Sequence, residues 1–257
     1  AAEPHASFTT RFAEAAATGR WDLVYVSHVF FNSGYAVPDL PRIVQAVPRE
    51  TFVVVDGYHA FGAIPVDLSA IADRAFYLAG GYKYAMAGEG CCFAHVPPGY
   101  AERPRDTGWF AAFGALQDPQ APGAVAYAPG GGRLLGATFD PSALYRFNAV
   151  MQWLDAEGLT PAAIHAHVVR LQEVFVAEIG KETLPLREAQ LVVPLAEESR
   201  GQFLTFESRA AADIHARLLG ANVVTDVRGD RLRFGFAIYH DEEDIGRGVA
   251  RMCRALG

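Results

Sequence analysis

The chain has 257 residues, 51% of them hydrophobic, with 22 basic and 29 acidic side chains and a formal net charge of −7. An acidic balance scattered along the chain argues against a nucleic-acid-binding surface, and no apolar run approaches the roughly 18 to 20 residues of a membrane helix. The length suffices to bury a full core in one large or two unequal domains.

The first predicted element is a helix from Ser7 to Thr18. Ser7 is its N-cap candidate, Phe8, Phe12, Ala15 and Ala16 fall at helical spacing, and Gly19 stops it. Trp21 to Ser27 reads as a strand, Pro38 to Val47 as a helix, and Thr51 to Asp56 as the next strand. This rhythm predicts a parallel sheet with right-handed crossovers, an α/β fold. Val53-Val54-Val55-Asp56 has the pattern of a buried parallel strand whose C-terminal end presents a charge. A second apolar run, Ala75 to Ala79, leads into Gly80-Gly81-Tyr82-Lys83-Tyr84. Ligands of open α/β sheets sit at such strand ends. A carboxylate and an amine at neighbouring ends suit a bound aromatic cation that needs one as counter-charge and the other for a Schiff base.

Cys91 to Val96 is predicted as a further strand, antiparallel at an edge. The adjacent Cys91 and Cys92 read as small buried hydrophobes, and with Cys253 they make neither a disulfide framework nor a zinc site. From Pro97 to Pro141 glycines, prolines and aromatics dominate, a loop-rich stretch of the kind found at functional sites or interfaces. Gly130 to Gly132 lacks the helix a phosphate loop requires and reads as a turn. Ser142 to Glu157 and Pro161 to Ile179 are predicted helices that bridge to a second unit. That unit reads as strands Leu191 to Leu195 and Phe203 to Glu207, a helix Ala210 to Leu219, strands Val223 to Asp226 and Arg231 to Phe236, and a helix Glu242 to Leu256. Residues 1–141 are thus expected to form a large domain, and residues 142–257 the bridging helices and a small C-terminal α+β domain.

Lysine usage singles out one position. The chain carries 20 arginines and only two lysines, Lys83 and Lys181. Arginine replaces lysine at most solvated positions, but it cannot form an imine. Lys181, in Gly-Lys-Glu-Thr, reads as a surface residue. Lys83, in an apolar, glycine-flanked segment, points to amine chemistry.

Several motifs occur together in order: Ser27-His28-Val29-Phe30-Phe31-Asn32-Ser33-Gly34, Asp56-x-x-His59-Ala60, Tyr82-Lys83 and Gly108-Trp109. Arg200-Gly201-Gln202 and Arg233-Phe234-Gly235-Phe236-x-x-Tyr239 follow. In this register the chain resembles the pyridoxal-phosphate enzymes of the class V aminotransferase superfamily, and within it looks most like kynureninases. The resemblance spans nearly the whole chain. It implies fold type I, with a mainly parallel large domain, and a homodimer with active sites at the subunit interface. It implies pyridoxal 5'-phosphate as cofactor, an amino acid as substrate and a cytoplasmic setting. By motif match, Lys83 is the Schiff-base lysine, Asp56 pairs with the pyridine nitrogen, and His59 lies beside the ring or phosphate. Ser27 and Tyr82 match cofactor contacts, Trp109 and Thr138 match positions that reach a phosphate, and Arg233 matches the arginine that holds the substrate carboxylate. Relatives carry a preceding segment with a phosphate-binding turn and a ring-stacking aromatic, so the large domain is expected to be incomplete here; a targeting signal upstream stays open.

Each role has a plainer alternative. Asp56 would cap a following helix, and His59 would be a satisfied structural histidine. Trp109 and Thr138 would be packing and loop residues, and Arg233 would pair with Asp230 or Glu207 at the surface. The implied reaction is hydrolytic Cβ–Cγ cleavage of the kynureninase type. Another class V reaction, transamination or epimerisation, is the first competitor, and a non-catalytic remnant of the fold is the second. A cysteine desulfurase needs a nucleophilic cysteine shortly before the carboxylate arginine, and Leu219 to Arg231 contains none.

Overall fold

The computed structural model describes residues 3–119, 121–196 and 199–257. A four-stranded sheet runs in the order β1 (Leu23–Ser27), β2 (Phe52–Asp56), β3 (Phe76–Gly80) and β4 (Cys92–His95). The first three strands are parallel, and β4 is antiparallel at the edge, as the sequence predicts. Helices α1 (Phe8–Thr18) and α2 (Leu40–Ala46) cover one face. The Asp39 carboxylate caps α2 by accepting from Arg42 N. In α1, Phe8, Ala13 and Ala16 are buried, while Ala15 points outward.

Alternation along the strands decides which side chains reach the core. Val24, Val26, Val53, Val55, Tyr77 and Ala79 are buried against the helices. On the opposite face Leu23, Tyr25 and Phe52 are about half exposed. The β-branched run of β2 is therefore buried on one face only, not on both. Cys92 likewise departs from expectation: it is exposed on β4, whereas Cys91 is buried.

The second sheet is antiparallel, ordered β5 (Phe203–Glu207), β7 (Arg231–Gly235), β6 (Asp226–Arg228). Helices α3 (Ser142–Ala156) and α4 (Pro161–Lys181) lead into it, and α5 (Ala211–Gly220) and α6 (Glu242–Leu256) complete it. Its core centres on Phe206, Leu204, Leu232, Leu171, Ile214 and Met252, each almost wholly buried. Side chains of this size contribute about 1.5–3 kcal/mol each when fully buried. Two expected strands change. Leu191 makes only an isolated bridge to Phe206, because Pro194 lacks a donor and Val193 packs into the first sheet's core. Strand β6 starts at Asp226, because Val223 N closes α5 onto Leu218 O after Asn222 in the left-handed region.

The two sheets meet at a tight junction. Gly34 has φ +81° and its added Cβ would lie 2.8 Å from Phe203 O, so only glycine fits there. Gly201 N donates to Gly34 O, Ala36 N donates to Ser199 O, and the buried Gln172 donates to Gly201 O. No described helix is long and apolar enough to cross a membrane.

Candidate active site

Ser27 stands opposite Asp56, and Asp56 opposite Leu78, so three parallel strands finish side by side. After β2 the chain turns at once. Gly57 N donates to Leu78 O at 2.8 Å, and a Cβ on Gly57 would lie 2.1 Å from the Tyr77 ring. This close approach fixes where the next residues point. Tyr58 N donates to Asp56 Oδ1 at 3.0 Å, and the Tyr25 hydroxyl donates to Asp56 Oδ2 at 2.7 Å. Asp56 thus caps a turn, not a helix, and each carboxylate oxygen keeps further acceptor capacity. Burial, with the bond to Asp56, pushes the Tyr25 hydroxyl up to about 12.

His59 follows in the same turn. Its ring lies between Phe31, Tyr84 and Phe203, with centroids 6.5, 6.0 and 5.9 Å away. Nδ1 is buried without a hydrogen-bond partner. Burial, reinforced by the cations of Lys83 and Arg233 and opposed by Asp56, pushes this imidazole down to about 4. His59 is therefore neutral near pH 7.

The segment after β3 supplies the amine. Gly81 N donates to Cys91 O at 2.9 Å and Ala87 N to Gly81 O at 2.7 Å, closing a compact loop around Lys83. Arg146 of α3 donates to the carbonyls of Ala87 and Glu89 and pins this loop from outside. Lys83 Nζ lies 5.1 Å from the Tyr82 ring centre. Lys83 and His59 line a cavity of about 670 Å³ together with Tyr84, Met86, Gln202, Val224 and residues 235–240. Gln202, fully buried, donates to Ala63 O at 3.0 Å and ties the cavity wall to the turn that carries His59.

His59 and Lys83 line one cavity, Asp56 sits three residues before His59 in the same turn, and the Phe203 ring packs on His59 at 5.9 Å and under the Arg233 guanidinium at 5.3 Å. The remaining expected residues are more dispersed. Ser27 lines a separate cavity of about 370 Å³ with Phe8, Phe30 and Arg231. Tyr82 is part-exposed, its ring 5.7 Å from that of Tyr58. Trp109 and Thr138 are exposed on the long loop stretch, where Trp109 packs on Phe110 and Phe113. Arg233 pairs with Asp226, not with Asp230 or Glu207; Glu207 faces Arg231 instead. Sequence reasoning missed Tyr25, which shares a strand face with Ser27 by simple alternation. No group of three potential metal ligands occurs among the described residues.

Known proteins share both the sequence pattern and the architecture. Residues 164–252 match the family described as "Kynureninase C-terminal domain". The kynureninase of Deinococcus radiodurans is 29% identical over 242 residues, covering 91% of this chain and 57% of that protein. The kynureninase of Burkholderia mallei is 32% identical over 224 residues, covering 82% and 50%. The chain is similar to kynureninases. It spans about half the length of these relatives. Among solved structures, a cysteine desulfurase from Thermococcus onnurineus superposes with a TM-score of 0.77 at 15% identity, over 96% of this chain and 62% of that one. An aspartate aminotransferase from Thermus thermophilus gives 0.65, also at 15%, over 95% and 68%. The kynureninase-like chain thus has the fold type I architecture of pyridoxal-phosphate enzymes.

The site suits that cofactor on its own geometry. The cavity falls in the range of about 300–1,000 Å³ usual for small ligands. It offers an amine at Lys83 and a buried, unpartnered nitrogen at His59, and the turn that carries His59 begins at the fixed carboxylate of Asp56.

Proposed function

We propose that this chain is the part of a pyridoxal-phosphate-dependent enzyme that pairs with the cofactor's ring and holds an amino-acid substrate. The proposed reaction is hydrolytic Cβ–Cγ cleavage of the kynureninase type, kynurenine giving anthranilate and alanine. The observation that supports this reading is that Asp56 ends β2 and opens the turn carrying His59, while His59 and the Lys83 that follows the adjacent β3 line one cavity. Residues 1–141 form the cofactor-binding part in this reading, and residues 142–257 the bridging helices and small domain.

Pyridoxal phosphate, when bound, supplies an electron sink for the charge left at the amino acid's α-carbon. Lys83, which lines the cavity, would hold the cofactor through its Nζ and would serve as the base for the α-proton. Asp56 keeps the proton on the ring nitrogen through a charge-assisted bond, with its orientation set by Tyr25 and the Tyr58 N–H. His59, neutral and packed among aromatic rings, flanks the ring or phosphate. Ser27, the register partner of Asp56, and Tyr82, next to Lys83, would contact the cofactor from the rim of the site. Trp109 and Thr138, both exposed, reach the phosphate held by the partner subunit of a homodimer. Arg233 takes the substrate α-carboxylate.

Incubating the protein with cofactor and kynurenine and following anthranilate fluorescence tests the reading. Bound cofactor without product overturns the hydrolase. Transamination or epimerisation would draw on the same residues. Amino transfer to a keto acid is the outcome that favours the first. A protein that stays colourless with added cofactor is the outcome expected of a non-catalytic remnant.

A further inference from the structure

We infer that Asp226 is a positioning residue, which orients the Arg233 guanidinium so that one edge is left free for a carboxylate. This inference rests on the reading of Arg233 as the carboxylate-binding residue and adds what makes it competent. Asp226 and Arg233 are direct cross-strand partners on β6 and β7. Asp226 Oδ2 accepts from Arg233 Nε at 2.7 Å and also from Nη2, so it takes the side edge of the guanidinium. Phe31 O accepts from Nη1. The Phe203 ring lies 5.3 Å from the guanidinium carbon and supports its face.

A guanidinium has five N–H donors in a fixed plane. Nε, one Nη2 hydrogen and one Nη1 hydrogen are taken, which leaves one hydrogen on each terminal nitrogen. Each terminal nitrogen thus keeps a hydrogen that a carboxylate can accept. The arginine side chain is 14% exposed, and the Phe203 ring that supports it also packs at 5.9 Å on His59, which lines the cavity. Asp226 is 46% exposed at its side chain, so replacing it does not disturb the core. Both ends of the clamp, Phe31 O and Asp226, come from segments on either side of the junction between the two sheets. The orientation of Arg233 therefore depends on that junction being closed.

The test compares L-alanine with L-alaninamide, which lacks the carboxylate charge, as ligands of the cofactor-loaded protein, with binding read by calorimetry. The wild-type protein is expected to prefer alanine. Asp226→Ala is expected to cut that preference at least about tenfold, the size of one lost charge-assisted hydrogen bond. Asp226→Asn is expected to recover most of it, because its amide oxygen still accepts from Nε. The visible absorbance of the bound cofactor should be the same in both variants. An unchanged ratio in Asp226→Ala overturns the inference. So does tighter alanine binding in both variants, which would mark Asp226 as a competitor for Arg233. If Arg233→Gln also leaves the ratio unchanged, the reading of Arg233 has failed instead.

Discussion

Tyr25 and Asp56 are joined across β1 and β2 by a hydroxyl–carboxylate hydrogen bond of 2.7 Å. Tyr25 lies two residues before Ser27, the register partner of Asp56, so the bond runs diagonally along the open face of the sheet. It holds one carboxylate oxygen while the Tyr58 N–H holds the other. Removing the hydroxyl leaves the fold alone and loosens the carboxylate. In Tyr25→Phe the dissociation constant for pyridoxal phosphate, followed by absorbance, is expected to rise about fivefold. That corresponds to about 1 kcal/mol, below the roughly 1.5–3 kcal/mol of a bond to a charged group because Tyr25 is half exposed to water. No change would separate Asp56 from cofactor binding.

Lys83 and Lys181 make a matched pair for the amine chemistry. Lys181 sits on the surface at the end of α4, 2.5 Å from Glu178, where a guanidinium serves equally well. Lys83 lines the cavity. Lys83→Arg keeps the charge and approximate length but cannot form an imine. It is expected to lose the visible band of the cofactor-loaded protein and all turnover, with its melting temperature unchanged. Lys181→Arg should match the wild type in every readout. A coloured Lys83→Arg protein would refute the assignment.

Much of this site is legible in the sequence, and the failures have physical reasons. Asp56 and Lys83 stand out because strand periodicity and lysine scarcity are local signals. The face that Ser27 presents is not local. Alternation says that Tyr25 and Ser27 share a side, but only the packing of Phe8 and Phe30 decides which cavity that side borders. The open face of β2 was hidden for the same reason, because an all-apolar run reads alike whether one face or both are covered. Pro194 held the information that Leu191 to Leu195 would not join a ladder, and the apolar pattern outweighed it. Asp226 was invisible as a partner of Arg233, since the cross-strand register depends on where α5 ends.

The turn after β2 is set by close packing, and this gives a stability prediction. A Cβ at Gly57 would sit 2.1 Å from the Tyr77 ring, whereas one at Gly114 meets nothing within 4 Å. Tyr77 is buried and its hydroxyl lies 3.3 Å from His28 Nδ1, so it has little room to move. Gly57→Ala is expected to destabilise the protein by about 1–3 kcal/mol, the usual cost of overpacking, and to displace Asp56 and His59 with it. Gly114→Ala should stay within about 0.5 kcal/mol, as surface changes do. Urea unfolding midpoints of the two variants decide the matter.

One buried histidine, His28, and one half-buried histidine, His59, make stability depend on pH in a stated direction. Burial pushes His28 from 6.5 down to about 4, and His59 is lowered likewise, by burial and then by Lys83 and Arg233. In the unfolded chain each imidazole binds a proton once the pH falls below about 6.5. In the folded protein neither does so until about pH 4. Between these values the unfolded state holds more protons, so stability is full above pH 6.5 and falls as the pH drops towards 4. The loss from His28 between pH 7 and pH 5 is roughly 2 kcal/mol, in proportion to its shift. His59 adds less, because it is only partly buried and solvent screens it. Urea midpoints measured at the two pH values should differ accordingly, and His28→Gln should remove about half or more of the difference. A wild-type midpoint that is flat across this window would mean that His28 takes up its proton within the folded state, with Tyr77 turning its hydroxyl oxygen to accept from the charged ring.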